Sequence, residues 1–394
     1  MSSIPSSSSV RLPGATVAII DLLRGGLALL VLVAHTVETA RQSYSLPVIG
    51  PECGALATLV MQGSFWVGGF FVLSGFCVHL SVQKLLSSQG PWLRHYALAR
   101  VTRIYPMFLV SLLLLAASWR WLGPHPLNSV TEPVAAGTAH LLMLQGITGV
   151  FHELKPAWSL TYEMLYYAAW PLLILISGRC VQRAFYLGAG IALSIAVAVV
   201  GVWKILHGGD GGSWLIPFWL IPAQFLLWLG GAFLAHSWRP LSAFIGPGGS
   251  WLAIAGLIGV FVFQGWLVLH DARQWMLLAC GYLALPCWLV LLLASARLTF
   301  AEQWGWLVRH MALLSYPLYL LHQLILDLAS RLWPQSPEIP PVIYGVVLGV
   351  ATLTIIWMAG IPMERTFLKW RSAWLKKWPA GKVSPSAGTA QAAN

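Results

Sequence analysis

Apolar residues run along this chain in stretches of about twenty, near 17–37, 55–80, 104–122, 157–177, 184–206, 214–235, 251–270, 275–296, 311–331 and 341–363. As helices rising about 1.5 Å per residue, such stretches match the roughly 30 Å hydrocarbon layer of a bilayer. The pattern predicts an all-α polytopic membrane protein of about ten transmembrane helices. One further run, 135–149, is shorter and holds His140 and Gln145. It reads as a re-entrant or interfacial segment, because too few residues are present to cross. The expected organisation is a disordered, Ser-rich cytoplasmic tail over 1–16, a transmembrane domain over 17–364 and a basic cytoplasmic tail over 365–394. No internal repeat and no extramembrane domain stands out.

Composition sharpens this picture. Of 394 residues 58% are apolar and 9% charged, against about 25% charged in a soluble domain. The formal net charge of +11 reads first as a topology signal, so no nucleic acid is expected as a partner; the partner is the lipid bilayer. With ten crossings and a cytoplasmic N-terminus, sixteen Lys and Arg fall on the inner side and six on the outer side, with Arg24 inside the membrane. Were 135–149 to cross, the eleven basic residues from Arg179 onward that are assigned inside would lie outside. Both termini are therefore expected in the cytoplasm, and the first run is an uncleaved span. The five cysteines, Cys53, Cys77, Cys180, Cys280 and Cys287, have no metal-ligand or CxxC spacing. They are expected as packing thiols, and no metal is expected.

The first run, "IIDLLRGGLALLVLVAHT", carries Asp21, Arg24 and His35. Ionisable groups at mid-membrane cost about 2.5–3.5 kcal/mol on insertion scales and ordinarily face a protein interior or water. Eleven residues separate Arg24 from His35, which puts them on one helix face about 16 Å apart along the axis. Asp21 is spaced to pair with Arg24. Arg100 and Arg103, three residues apart at the cytoplasmic mouth of the third run, suit phosphate groups, although positive-inside anchoring accounts for basic residues there too. Near the outer face, His35 and Glu163 are expected at similar depth, as a base and its orienting carboxylate. His322 lies within the 311–331 run beside Tyr316 and Tyr319. Ser74, beside Gly75, has a packing reading as well as a pathway one.

Five motifs occur in order: "DLLRGGLALLVLVAHT", "FFVLSGF", "RVTRIYP", "PAWSLTYEMLYY" and "LSYPLYLLHQ". Together they make the chain resemble the acyltransferase-3 family of bacterial integral-membrane acyltransferases. The resemblance implies transfer of an acyl group, commonly acetyl from acetyl-CoA, to a hydroxyl of a glycan or other envelope or secreted acceptor at the bacterial plasma (inner) membrane. Acyl-CoA would be a co-substrate, with no bound cofactor. On this reading His35, Glu163 and Arg24 carry the chemistry and Arg100 and Arg103 hold the donor. Asp21, Ser74, Tyr105, Trp158, Ser159, Tyr319 and His322 support the pathway. Many members carry an added extracytoplasmic hydrolase-like domain; none is evident in this sequence, so action alone or with a separate extracytoplasmic partner protein is expected. A proton-coupled transporter would use the same buried Arg, His and Glu as a relay, but the repeats that favour that class are lacking.

Overall fold

Helices follow the apolar runs. The computed structural model describes residues 12–46, 60, 62–86, 91–128, 130–207, 216–270, 274–299 and 302–378. In chain order these form α1 (Gly14–Ser43), α2 (Gly63–Leu86), α3 (Trp92–Leu122), the short α4 (Pro133–Leu141) and α5 (Gln145–Thr148), and a 3-10 turn (His152–Ala157). There follow α6 (Trp158–Ile176), α7 (Val181–His207), α8 (Ile216–His236), the short α9 (Trp238–Ser242), α10 (Gly249–Leu269), α11 (Gln274–Ser295) and α12 (Gly305–Leu332). Last come α13 (Pro341–Ile355), a π-helical turn (Ile356–Gly360) and α14 (Ile361–Lys376). Ten helical units are long and apolar enough to cross a membrane, and the described residues contain no strand. The protein is an all-α polytopic membrane protein. α4 and α5, at nine and four residues, are too short to cross.

Where helices meet, small residues let their backbones touch, the main packing device when lipid supplies no hydrophobic drive between helices. α1 lies along α12, and α2 along α8. At the second contact the glycines are reciprocal: a Cβ on Gly75 would sit 1.9 Å from the Trp228 carbonyl oxygen, and one on Gly231 would sit 1.9 Å from that of Val72. Large side chains such as Trp170, Trp228, Tyr166 and Phe76 are fully buried around this crossing. Leu113, Val197, Ile258 and Val350 face outward, as lipid requires. Exposed tryptophans mark helix ends, Trp121 on α3, Trp251 on α10 and Trp306 on α12, where indoles anchor at the membrane interface.

Two helix ends fall outside the expected apolar runs. α1 begins at Gly14, inside the segment read as a tail, while residues 1–11 lie outside the described ones. The helix that leaves the last apolar run does not stop near Glu364; it continues to Lys376 and packs on α3. Its polar composition hid it, because the face turned to α3 is held by charge and by indoles. Arg371 donates to the Ala99 carbonyl at 3.2 Å, and the rings of Trp370 and Trp374 stack with centroids 5.6 Å apart. Of the cysteines, Cys53 falls outside the described residues and the other four are unbridged.

The expected sidedness is tested with Lys377→Cys in a variant freed of native cysteines. A membrane-impermeant maleimide should leave it unlabelled in intact cells and label it after permeabilisation. Labelling in intact cells would reverse the topology.

Candidate active site

A cavity of about 430 Å³ opens among α1, α2, α3, α6, α12 and α14, within the range of small-molecule sites. Its lining includes Arg24, Arg100, Arg103 and Arg371 together with Asp21, Glu163 and Glu364. These charges are not equivalent. Arg103 is ion-paired with Glu364, which is 2% exposed, and its guanidinium also lies 5.1 Å from the centre of the Tyr316 ring. Arg371 is partly committed to the Ala99 carbonyl. Arg100 rests against the rings of Tyr96 and Tyr167 at 5.6 and 5.5 Å, and its Nε has no hydrogen-bond partner. Among the described residues Arg24 makes no hydrogen bond or ion pair, and neither does Asp21. The expected Asp21–Arg24 pair is therefore not closed; both side chains face the cavity instead. Arg24 and Arg100 are the guanidiniums with donors to spare for an anionic ligand.

Glu163 sits in this same cavity, held by hydroxyls. Ser74 Oγ donates to its Oε1 at 2.7 Å, Tyr167 OH donates to the same oxygen, and the Trp228 indole N–H reaches Ser74 at 3.3 Å. Ser74 is thus a positioning group as well as a packing residue.

His35 belongs to a second, smaller chamber of about 210 Å³, lined also by Glu38, Gly63, Lys155, Pro156, Trp158 and Tyr319. Its Nδ1 lies 3.2 Å from Glu38 Oε2, and Lys155 Nζ donates to Glu38 Oε1 at 2.6 Å. The expected pairing of His35 with Glu163 is corrected: the carboxylate on this imidazole is Glu38. The reason is depth. The chain descends from the His35 level through the 3-10 turn before α6 starts, so Lys155, Pro156 and Trp158 line the His35 chamber. Glu163, five residues beyond Trp158, lies about 7.5 Å deeper along its helix. With Nδ1–H given to Glu38, His35 Nε2 keeps a lone pair. A Cβ on Gly63 would lie 4.0 Å from this nitrogen, so the glycine leaves room beside it.

Tyr319 stands between the chambers and lines both, as does Val67. Its hydroxyl donates to the Pro156 carbonyl at 3.0 Å and sits 2.6 Å from Ser159 Oγ. Ser159 lines the arginine cavity and Trp158 the histidine chamber, so these expected supporting residues flank the divide. His322 is fully buried behind it, Nδ1 bonded to the Leu318 carbonyl at 2.8 Å and ring centroid 5.1 Å from that of His35. It buttresses His35 rather than lining either chamber. Tyr105 is elsewhere: its hydroxyl donates to the Leu141 carbonyl at 3.2 Å, and its ring lines a separate apolar groove with Phe367 and Trp370. Tyr105, expected as a pathway or supporting residue, lines neither chamber.

Glu38, Lys155, Glu364 and Arg371 carry no sequence signal strong enough to mark them as site residues, and Tyr167 has only its place at the end of the motif around Glu163. Glu38, three residues after His35, is legible as a helical neighbour; the motif around Glu163 draws attention away from it. Glu364 and Arg371 fall at and beyond the expected end of the transmembrane domain. Another group, His125, His152 and Asp327, offers potential metal-ligand atoms all within 4.8 Å of one another, although none of these residues lines either chamber.

Similarity to known proteins bears on what two such chambers do. The acyltransferase domain of the acyltransferase-3 family matches residues 17–361. The chain belongs to this family. In this acyltransferase-3 protein the matched stretch runs from α1 to the first residue of α14. Glu364 and Arg371 lie beyond it. The chain is 30% identical over 200 residues to "Acyltransferase MdmB" of Streptomyces mycarofaciens, covering 47% of this chain and 45% of that protein. It therefore spans less than half the length of the curated relative it matches. No solved structure matches the chain.

Proposed function

We propose that this acyltransferase moves an acyl group, acetyl in the first instance, from cytoplasmic acyl-CoA to a hydroxyl of a glycan or other envelope or secreted acceptor. The observation that carries this reading is the pair of chambers meeting at Tyr319, one lined by four arginines and the other by an imidazole oriented by a carboxylate. An anionic donor belongs with the arginines and an acceptor hydroxyl with the histidine. In this reading the basic end faces the cytoplasm, and Arg24 and Arg100 bind donor phosphates or carbonyl oxygen. His35 Nε2 takes the acceptor proton while the new C–O bond forms and the C–S bond of the thioester breaks. Glu38 fixes the tautomer and stabilises the imidazolium. The imidazolium then gives that proton to the departing thiolate, so CoA leaves as its thiol toward the basic side and His35 returns to the neutral base. In a low-dielectric cavity the field of Arg24 on developing oxyanion charge is stronger than in water. Mass spectrometry of envelope and secreted glycans from cells making the wild type or His35→Ala tests the reading. Acyl esters present in both to equal extent would sink it.

The donor assignment separates the two motif arginines. Arg100→Gln should weaken acetyl-CoA binding about tenfold to a hundredfold, the scale of a lost charge-assisted hydrogen bond, and the wild-type affinity should fall with salt. Arg103→Gln should instead strand Glu364 in the interior and destabilise the protein by about 3–5 kcal/mol. An Arg103→Leu, Glu364→Leu pair should recover most of that loss. Calorimetric titration and thermal unfolding read the two effects. Unchanged donor affinity in Arg100→Gln would reduce that residue to a topology signal.

A further inference from the structure

Beyond both chambers, three segments far apart in sequence bring nitrogen and oxygen donors together: His125 in the connection after α3, His152 at the head of the 3-10 turn, and Asp327 on α12. The His152 Nε2 to Asp327 Oδ2 distance is 3.9 Å, too long for a hydrogen bond, and both atoms are buried without a partner. The two imidazoles stack almost parallel, centroids 4.2 Å apart and planes at 10°. Asp327 is 2% exposed, and its other oxygen is fixed by Gln323 Nε2 at 2.8 Å. The neighbouring Glu153, equally buried, bonds the Trp119 indole and the His125 amide through Oε1 and leaves Oε2 unpartnered. The nearby cations are engaged elsewhere: Lys155 with Glu38, and Arg331 with the Leu122 and Gly123 carbonyls. Two buried carboxylates thus each keep an oxygen that nothing satisfies, a costly arrangement, beside an imidazole nitrogen in the same condition.

We propose that His125, His152 and Asp327 form a binding site for a divalent transition-metal ion of the zinc type. The donor set, two imidazoles and one carboxylate, is the kind a borderline-soft ion takes, with a fourth position left for water or the free Glu153 oxygen. Ligand atoms around zinc stand about 3.3 Å apart, so the 3.9 Å gap must close by only a fraction of an ångström and the widest separation by about 1.5 Å. His125 belongs to the loop after α3 and is half-buried. Its Nδ1 accepts only a local bond from the Leu127 amide at 3.1 Å, and water can replace that bond. Two carboxylates and one divalent ion leave the site formally neutral. Such an ion would tie the α3 connection, the 3-10 turn and α12 together. This site does not depend on the proposed acyl chemistry.

The test uses the full-length protein purified in detergent without a polyhistidine tag, stripped with chelator and titrated with Zn²⁺ and, as a spectroscopic probe, Co²⁺. One equivalent should bind, Co²⁺ should give the intense visible bands of a four-coordinate site, and Zn²⁺ should raise the Tm. Asp327→Asn and His152→Gln should each weaken binding at least about tenfold and abolish the Tm rise. His125→Gln, at a half-buried loop position, should do the same and serves if the buried variants do not fold. A wild type that takes up no ion would overturn the proposal and leave a His–Asp pair satisfied by protons alone. Stoichiometric uptake unchanged by His125→Gln would overturn it too, since the ion would then bind elsewhere.

Discussion

His35→Ala will lower acyl transfer by about 10² to 10⁴-fold, the range for loss of a positioned general base, while the protein still inserts and still binds donor. Insertion should survive because alanine removes an ionisable group from a span and leaves α1 packed on α12. Donor binding should survive because His35 lines only the small chamber, whereas the arginines line the other. The structure adds a ranking that the sequence pairing would have reversed. Glu38→Gln keeps the shape of the side chain and removes its charge, so it should cost part of the His35 effect. Lys155→Met, which frees Glu38 from its ion pair, should cost less. Glu163→Gln should alter donor handling instead, because its partners are Ser74 and Tyr167 in the arginine cavity. Initial rates with saturating and limiting acetyl-CoA distinguish these cases. A folded His35→Ala enzyme acylating at near wild-type rate would make the histidine a packing residue and move the search for the base to Glu163.

The second large effect is on folding. Gly75→Leu and Gly231→Leu should each prevent recovery of a monodisperse protein from detergent, because even the first carbon of the new side chain overlaps a backbone carbonyl of the facing helix. Ordinary overpacking of a core costs about 1–3 kcal/mol by shifting side chains; here nothing flexible can shift, and α2 and α8 must separate. That separation would also displace Ser74, one residue from Gly75, from the Trp228 indole and from Glu163. Gly190→Ala on α7 is the control, since a Cβ there would meet nothing within 4 Å; it should be neutral or slightly stabilising. Size-exclusion profiles of the three variants decide the matter, and normal yield from Gly75→Leu would mean that α2 and α8 can part without loss of the fold.

The crossings were legible in the sequence because lipid demands long apolar runs, and the short 135–149 segment was legible because it is too brief to obey that demand. Arg24, His35, Arg100 and Glu163 could be chosen as site residues since each stands as a polar exception in or beside such a run. Which of them meet could not be read in the same way. The depth of Glu163 depends on a 3-10 turn whose sequence, "HELKPA", looks like an ordinary loop, and the turn carries Lys155 to Glu38 while sending Glu163 toward Ser74. Arg103 looked equivalent to Arg100 because they share a helix face; only the fold of α14 back onto α3 brings Glu364 to one and not the other. His125, His152 and Asp327 have no spacing that links them, being joined purely by tertiary packing.

The position of Tyr319 also bears on the membrane's permeability. A protein offering a polar cavity to each side of a bilayer risks becoming a leak, and each elementary charge that crosses dissipates about 2.3 kcal/mol per 100 mV of membrane potential. The tyrosine hydroxyl is tied to Pro156 and Ser159, and Tyr319 and Val67 are the side chains that line both chambers. An acyl group is neutral and slim enough to be presented across such a partition while hydrated ions are kept out. On the proposed function, a chemical group would thereby be exported without current being conducted.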